Sequence, residues 1–264
     1  MGTIDIHTHA FPDALAGRAI PYLEAEAFWP GVADGTTGAL LAGMDEAGVE
    51  VSVICNIATK PSQTKVIVEW CGQIRSDRLE PLASVHPEDP EGPDWIGRIA
   101  DAGLAGIKLH PMYQSFAADD ERMDPVYAAA AQTGLLVTFH CGRDIAYPPE
   151  DDRASPRRIR NVLDRHPGLK VVATHLGGWR DWDAVEEHLL GQDVYFETSF
   201  TLGHLAARRV ADMIRRHRAD RMVFGSDWPW NAQADEIARV RSLQLPEDLE
   251  ERLLATNAAE LLGR

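Results

Sequence analysis

The stretch LLVTFHCGRDIAYPPEDDRASPRRIRNVLDRHPGLKVVATHLGGW, residues 135–179, decides the fold. It contains two short β-branched runs, LLVTF and KVVAT, and each is followed at once by a histidine, His140 and His175. Between them, SPRRIRNVLDRHPG places its apolar residues at spacings of three and four, the period of a helix. Strand, helix and strand in this order form one βαβ unit.

Working outward, the unit recurs. TIDIH (3–7), VSVIC (51–55), PLASV (81–85), AGIKL (105–109), VYFET (194–198) and RMVFG (221–225) bring the candidate strands to eight. TTGALLAGMDEAGVE, DPVYAAAAQTG and HLAARRVADMIRRH add helical patterns, and Gly134 and Gly168 stand where helix C-caps belong. Eight alternations predict an α/β fold of the (β/α)8 TIM-barrel type, a single domain over residues 1–264. A doubly wound sheet is the rival architecture. It would carry a glycine-rich loop after its first strand, which TIDIHTHAFP lacks.

Composition narrows the function. Hydrophobic residues are 45% and charged residues 25%, as in a soluble protein with a real core. With 26 basic against 41 acidic residues the net charge is −15, the wrong sign for a nucleic-acid partner. Three cysteines without a CxxC pair suit a reducing compartment. No leader pattern opens the chain and no run approaches ~18 apolar residues, so the expectation is a cytoplasmic protein without membrane contact. A homodimer is left open.

In such a barrel, chemistry sits at the strand C-termini. There the sequence places His7 and His9, His86, Lys108 and His110, His140, His175 and Asp227. Six of the ten histidines thus fall on one rim, whereas His166, His188 and His217 fall in helical patterns. Residues two apart on a strand share a face, so His7 and His9 both point into the barrel mouth. His140 and His175 come from adjacent strands, and Asp227 follows the strand that pairs with the first. Imidazoles with one carboxylate suit a divalent ion, zinc first and manganese or another first-row ion next.

IDIHTHAF, AGIKLHPMYQSF, LLVTFHCG, VVATHLGGW, FGSDWPW and TNAAELLG resemble the amidohydrolase superfamily over essentially the whole chain. The match is closest to its amidohydrolase 2 branch, with the aminocarboxymuconate-semialdehyde decarboxylase relatives. The resemblance implies that His7, His9, His140 and Asp227 hold one metal and that His175 is the acid/base or orienting group beside it. Asp227 would also carry protons. In two-metal members a carboxylated lysine bridges the ions; Lys108 is read instead as a pocket cation, with the bridged pair as the alternative.

Lys108, His110, Arg143, Trp179, Arg180 and Trp228 are the candidate substrate contacts. The arginines read either as carboxylate clamps or as solvated loop charges, and the tryptophans as pocket walls or as caps of the barrel mouth. His86 is a further rim candidate, and Asp5, on the same face as His7, reads as a buried hydrogen-bonding group. The expected chemistry is metal-assisted hydrolysis of an amide, lactone or ester of a small molecule. The alternatives are non-oxidative decarboxylation on the same ring of ligands and metal binding without catalysis.

Overall fold

Apolar, β-branched runs become parallel strands when helices cover them, and each strand here is followed by a helical connection. The computed structural model describes residues 2–264. β1 (Thr3–Thr8) leads into two helices, α1 (Asp13–Ala27) and α2 (Thr37–Ala47), and then β2 (Val49–Cys55). Next come α3 (Thr64–Ile74), β3 (Leu79–Leu82), α4 (Gly92–Asp101), β4 (Gly106–Leu109), α5 (Asp124–Thr133) and β5 (Leu136–Phe139). The second half runs α6 (Pro156–Arg165), β6 (Lys170–Ala173), α7 (Trp182–His188), β7 (Tyr195–Glu197), α8 (Ala207–Arg216) and β8 (Met222–Val223). α9 (Gln233–Ser242), α10 (Glu247–Glu251) and α11 (Asn257–Leu262) close the chain.

All paired strands run parallel, in the orders β1-β2-β3 and β4-β5-β6-β7-β8. Two thin seams join these sheets into the expected barrel. At one, Ala83 bridges Ile107; at the other, Thr8 bridges Trp228. The second seam is reinforced by Ile6 N–H to Phe224 O (3.0 Å), Asp227 N–H to His7 O (2.8 Å) and His9 N–H to Trp228 O (2.6 Å). Because that seam carries His7, His9 and Asp227, barrel closure and site assembly are one event.

Some boundaries differ from the sequence reading. β3 begins at Leu79, because Leu79 and Glu80 already pair with Ser52 and Val53. β8 ends at Val223, because the chain then bends into the loop that carries Asp227 at φ 61. Gly134 does cap α5, at φ 75, whereas α6 ends on His166 and Gly168 turns the chain two residues later. β4 and β5 approach so closely at Gly106 that a Cβ there would lie 2.1 Å from Leu136 O.

The main core lies between strands and helices, with Leu40, Ile54, Ile107, Phe139 and Phe196 among its members. A second cluster fills the barrel: Ile4, Val51, Leu136, Val172 and Val223 pack with Ala258 and Leu261 of α11. Each fully buried aliphatic side chain stabilises the fold by about 1.5–3 kcal/mol. At the other end of the strands the buried residues turn polar, with Asp5, His7, Lys108, His175 and Glu197 all at 3% exposure or less. Such burial is costly unless every group finds a partner, and this marks the candidate functional end of the barrel. Among the described residues, no helix is long and apolar enough to cross a membrane.

Candidate metal centre and cavity

Four imidazoles reach the floor of the barrel mouth, and hydrogen bonds on their outer nitrogens decide what each presents inward. His9 Nδ1 lies 2.9 Å from Cys55 O, and His7 Nδ1 lies 3.2 Å from Glu197 Oε1. His140 Nε2 lies 3.0 Å from Arg143 O, and His175 Nδ1 lies 3.2 Å from Ser199 O. Carbonyl and carboxylate oxygens only accept, so these outer nitrogens carry the protons. The inner ones, His7 Nε2, His9 Nε2, His140 Nδ1 and His175 Nε2, are left with bare lone pairs.

That arrangement fits a cation. His9 Nε2 and His7 Nε2 stand 3.0 and 3.3 Å from Asp227 Oδ1, yet this buried oxygen has no hydrogen-bond donor in the structure. The ligand atoms of His7, His9 and Asp227 all lie within 4.8 Å of one another. His140 stands one step further round, its Nδ1 3.2 Å from His175 Nε2, so two bare nitrogens face each other. Converging lone pairs with an unpaired carboxylate are what a divalent ion of the zinc or manganese type requires, and the outer hydrogen bonds are the usual means of fixing the ligating tautomer. Lys108, fully buried, puts its Nζ 3.1 Å from His7 Nε2.

Electrostatics agree with a ligand role. Burial, followed by the neighbouring His140, pushes His175 down to about 3. Burial and the Lys108 charge hold His7 well below its ordinary value, and burial lowers His140. These rings are therefore neutral near pH 7, the form that binds metal. Burial alone would raise the Asp227 carboxyl, but His7, His9 and His175 outweigh it and hold the group well below the usual carboxylate range. Both Asp227 (φ 61) and His175 (φ 59) occupy the left-handed region, a strain concentrated at the site.

Above this floor opens a cavity of about 1020 Å³. His110, Lys108 and Trp179 line it as the sequence suggested, and Trp29 and Trp230 join them. His110 stacks on His140 with ring centroids 4.1 Å apart and bonds Asp144 Oδ2 at 3.2 Å. Four of the rim candidates lie elsewhere. Arg143 reaches towards Asp151 O (3.4 Å) and Asp181 (4.0 Å), and Arg180 lies over the ring of Trp179 at 4.3 Å. Trp228 is buried towards Gly43 of α2, and His86 accepts the Glu88 N–H at 3.2 Å in its own turn. Loop residues next to a site need not face it.

The structure also adds residues that the sequence reading missed. Glu197, fully buried at the end of β7, takes His7 Nδ1–H, the His175 N–H (2.6 Å) and both Ser199 donors (2.8 Å each). A carboxylate closing an otherwise apolar strand was its signal. Asp144 ties His110 and His140 together from the loop after β5, its distances 3.2 and 3.6 Å. α1 forms one wall, presenting Leu15, Arg18, Tyr22 and Glu26 to the cavity while only Ala16 and Ile20 on it are buried.

The chain superposes on an uncharacterized TIM-barrel protein from Bordetella bronchiseptica with a TM-score of 0.77, at 20% identity over 99% of both chains. The 5-carboxyvanillate decarboxylase of Sphingomonas paucimobilis gives 0.75 at 16% identity, over 99% of this chain and 98% of that one. The 5-carboxyvanillate decarboxylase of Novosphingobium aromaticivorans, with bound manganese and 3-methoxy-4-hydroxy-5-nitrobenzoic acid, gives 0.73 at 14% identity, over 99% and 97%. At these identities the likeness is one of fold. No curated protein matches the sequence. The Amidohydrolase family model of the amidohydrolase 2 branch, however, matches residues 4–264, and the chain belongs to that family.

Proposed function

We propose that this protein is a metal-dependent decarboxylase of small aromatic carboxylic acids. The observation that carries the reading is the cavity itself: a space for a flat ring, walled by Trp29, Tyr113, Trp179 and Phe200, ending on His7, His9, His140, His175 and Asp227. The full-length likeness to two 5-carboxyvanillate decarboxylases supports decarboxylation over hydrolysis of an amide, lactone or ester, which the sequence put first.

A divalent ion held by His7, His9, His140 and Asp227 would supply the positive charge that binds and polarises the acidic end of the substrate. When the carbon–carboxyl bond breaks, CO2 leaves and its bonding electron pair stays on the ring carbon. That carbon takes up one proton, so the reaction needs no oxidant or reductant. Asp227 and His175, both without a transferable proton at rest, converge on the floor where the proton is required and would relay it there from solvent water; Ser199 Oγ, 3.0 Å from His175 Nδ1, extends the chain of proton-exchanging groups behind His175. The aromatic walls keep bulk water from the carbanion-like centre.

The test uses the protein loaded with Mn2+ and, separately, Zn2+, supplied with carboxyl-labelled 5-carboxyvanillate and related hydroxybenzoates. Labelled CO2 should appear, and in D2O one deuterium should enter the product at the vacated carbon. Cleavage of aryl lactones or esters, with no CO2 from any of the acids, would restore the hydrolase reading. Dialysis against a strong chelator should abolish turnover, and adding back manganese or zinc should recover it; full activity in metal-free protein overturns the metal-dependent mechanism.

Substrate selection should depend on Arg18 rather than on Arg143 or Arg180. Among the described residues, Arg18 is the guanidinium that lines the cavity. Losing a charge-assisted hydrogen bond costs roughly 1.5–3 kcal/mol, so Arg18→Ala should raise KM about 10- to 150-fold for substrates with a second acidic group. KM for monoacids should change little, as should that of Arg143→Ala with either class. Equal effects on both classes would remove Arg18 from the binding site.

A further inference from the structure

Asp5 is fully buried two residues before His7 and accepts four hydrogen bonds. Its Oδ1 takes the backbone N–H groups of His7 (3.1 Å) and Ser226 (3.0 Å). Its Oδ2 takes the Ser226 hydroxyl (2.5 Å) and the Gln233 amide (2.7 Å). The donors come from β1, the loop after β8 and α9. One backbone donor belongs to a candidate metal ligand, and the other precedes Asp227. Ser226 Oγ in turn accepts the N–H of Trp228 (3.1 Å), so the left-handed turn at Asp227 is gripped on both sides. Gln233 Nε2 is shared with Ser52 Oγ of β2 (3.0 Å), which orients the amide from outside the site.

We propose that Asp5 is a positioning residue for the metal centre: with Ser226 and Gln233 it sets the separation between His7 and Asp227 across the seam that closes the barrel. This rests on the metal reading above. A ligand pair from opposite sides of a seam held by a few backbone bonds needs a common anchor, and one carboxylate bonded to both segments supplies it. The interior packing does not depend on the anchor, because the apolar cluster of Ile4, Ile6, Val51 and Val53 contains neither Asp5 nor any of its hydrogen-bond partners.

The experiment measures Mn2+ affinity of the full-length protein by competition with a chromophoric chelator, alongside the melting temperature of the metal-free form. In Asp5→Asn the amide oxygen can keep the two backbone bonds, but an NH2 replaces the acceptor that the Ser226 hydroxyl and the Gln233 amide share. Mn2+ should bind roughly 10- to 100-fold more weakly, the usual cost of losing a group that orients ligands. Asp5→Asn/Gln233→Glu exchanges donor and acceptor, and should return affinity to within a few-fold of the wild type. Should Asp5→Asn fail to fold, Ser226→Ala removes the hydroxyl's bonds to Asp5 and Trp228, keeps the backbone bond to Asp5, and should weaken Mn2+ about tenfold. Unchanged Mn2+ affinity in the folded variants, or a double variant binding no tighter than Asp5→Asn, overturns this inference alone. Wild-type protein that binds neither Mn2+ nor Zn2+ overturns it together with the metal reading.

Discussion

His140→Ala should strip the protein of its metal, whereas His175→Asn should keep the metal and lose most of the turnover. The two histidines touch, with 3.2 Å between their inner nitrogens, so proximity does not separate their roles. Their outer contacts do. His140 is fixed by the Arg143 carbonyl and lies beside Asp144, a fixed shell that suits a ligand. His175 Nδ1 also has a backbone carbonyl nearby, that of Ser199 at 3.2 Å, but it has in addition the Ser199 hydroxyl at 3.0 Å, which can accept a proton as well as donate one. Asn at 175 preserves some polarity and hydrogen bonding, and kcat should fall roughly 10²- to 10⁴-fold, the contribution of a positioned acid/base group. Metal content after identical dialysis, with kcat on the same samples, checks both halves. In the bridged two-metal alternative, His175→Asn and Lys108→Ala would each cost the same metal equivalent. Retention of both metal and near-normal kcat by His175→Asn would remove His175 from catalysis.

Gly225→Ala is expected to destabilise the fold and weaken metal binding together. A Cβ at that position would lie 2.1 Å from Glu197 Oε2 and 2.9 Å from His7 Cβ. Neither neighbour can retreat. Glu197 is held by four donors, and His7 by its backbone bonds and by Glu197 itself. Overpacking of this kind typically costs about 1–3 kcal/mol, and displacing the carboxylate behind His7 should weaken metal binding by a further 10- to 100-fold. Gly17→Ala in α1, where an added Cβ meets nothing within 4 Å, is the control and should leave both properties intact. The check is a thermal melt with a Mn2+ titration on each variant; wild-type affinity in Gly225→Ala would show that Glu197 does not hold His7 in place.

The fold was legible because βαβ periodicity repeats, and a local pattern read eight times is robust to errors at single boundaries. That His7, His9, His140, His175 and Asp227 gather at one end of the barrel was legible for a related reason: a strand end fixes both the position and the direction of the next side chain. Arg143 and Arg180 show where that reasoning stops. Each follows a strand-end histidine in the chain, but Arg180 sits at φ 52 and its guanidinium lies over the ring of Trp179. Loop dihedrals are set by tertiary contacts that no local pattern encodes. Glu197 was overlooked for the opposite reason, because a charged residue in a strand ordinarily faces solvent, and only the histidines gathered from β1 and β6 explain its burial. Arg18 belongs to α1, a helix inserted between β1 and α2 that was not among the helical patterns read from the sequence, and what lies across from it is set by tertiary packing.

The wall formed by α1 has a consequence for how this protein can change. Most of the surface that α1 offers the ligand is carried on side chains that do not support the fold, since Ala16 and Ile20 alone anchor the helix by burial. Substitutions at Leu15, Arg18, Tyr22 and Glu26 can therefore alter which molecules are accepted while the melting temperature stays nearly constant. The seam that carries His7, His9 and Asp227 has no such freedom, because the backbone bonds of these same residues close the barrel. Diversification of substrate range, in nature or in a directed library, should accordingly accumulate on this one helix.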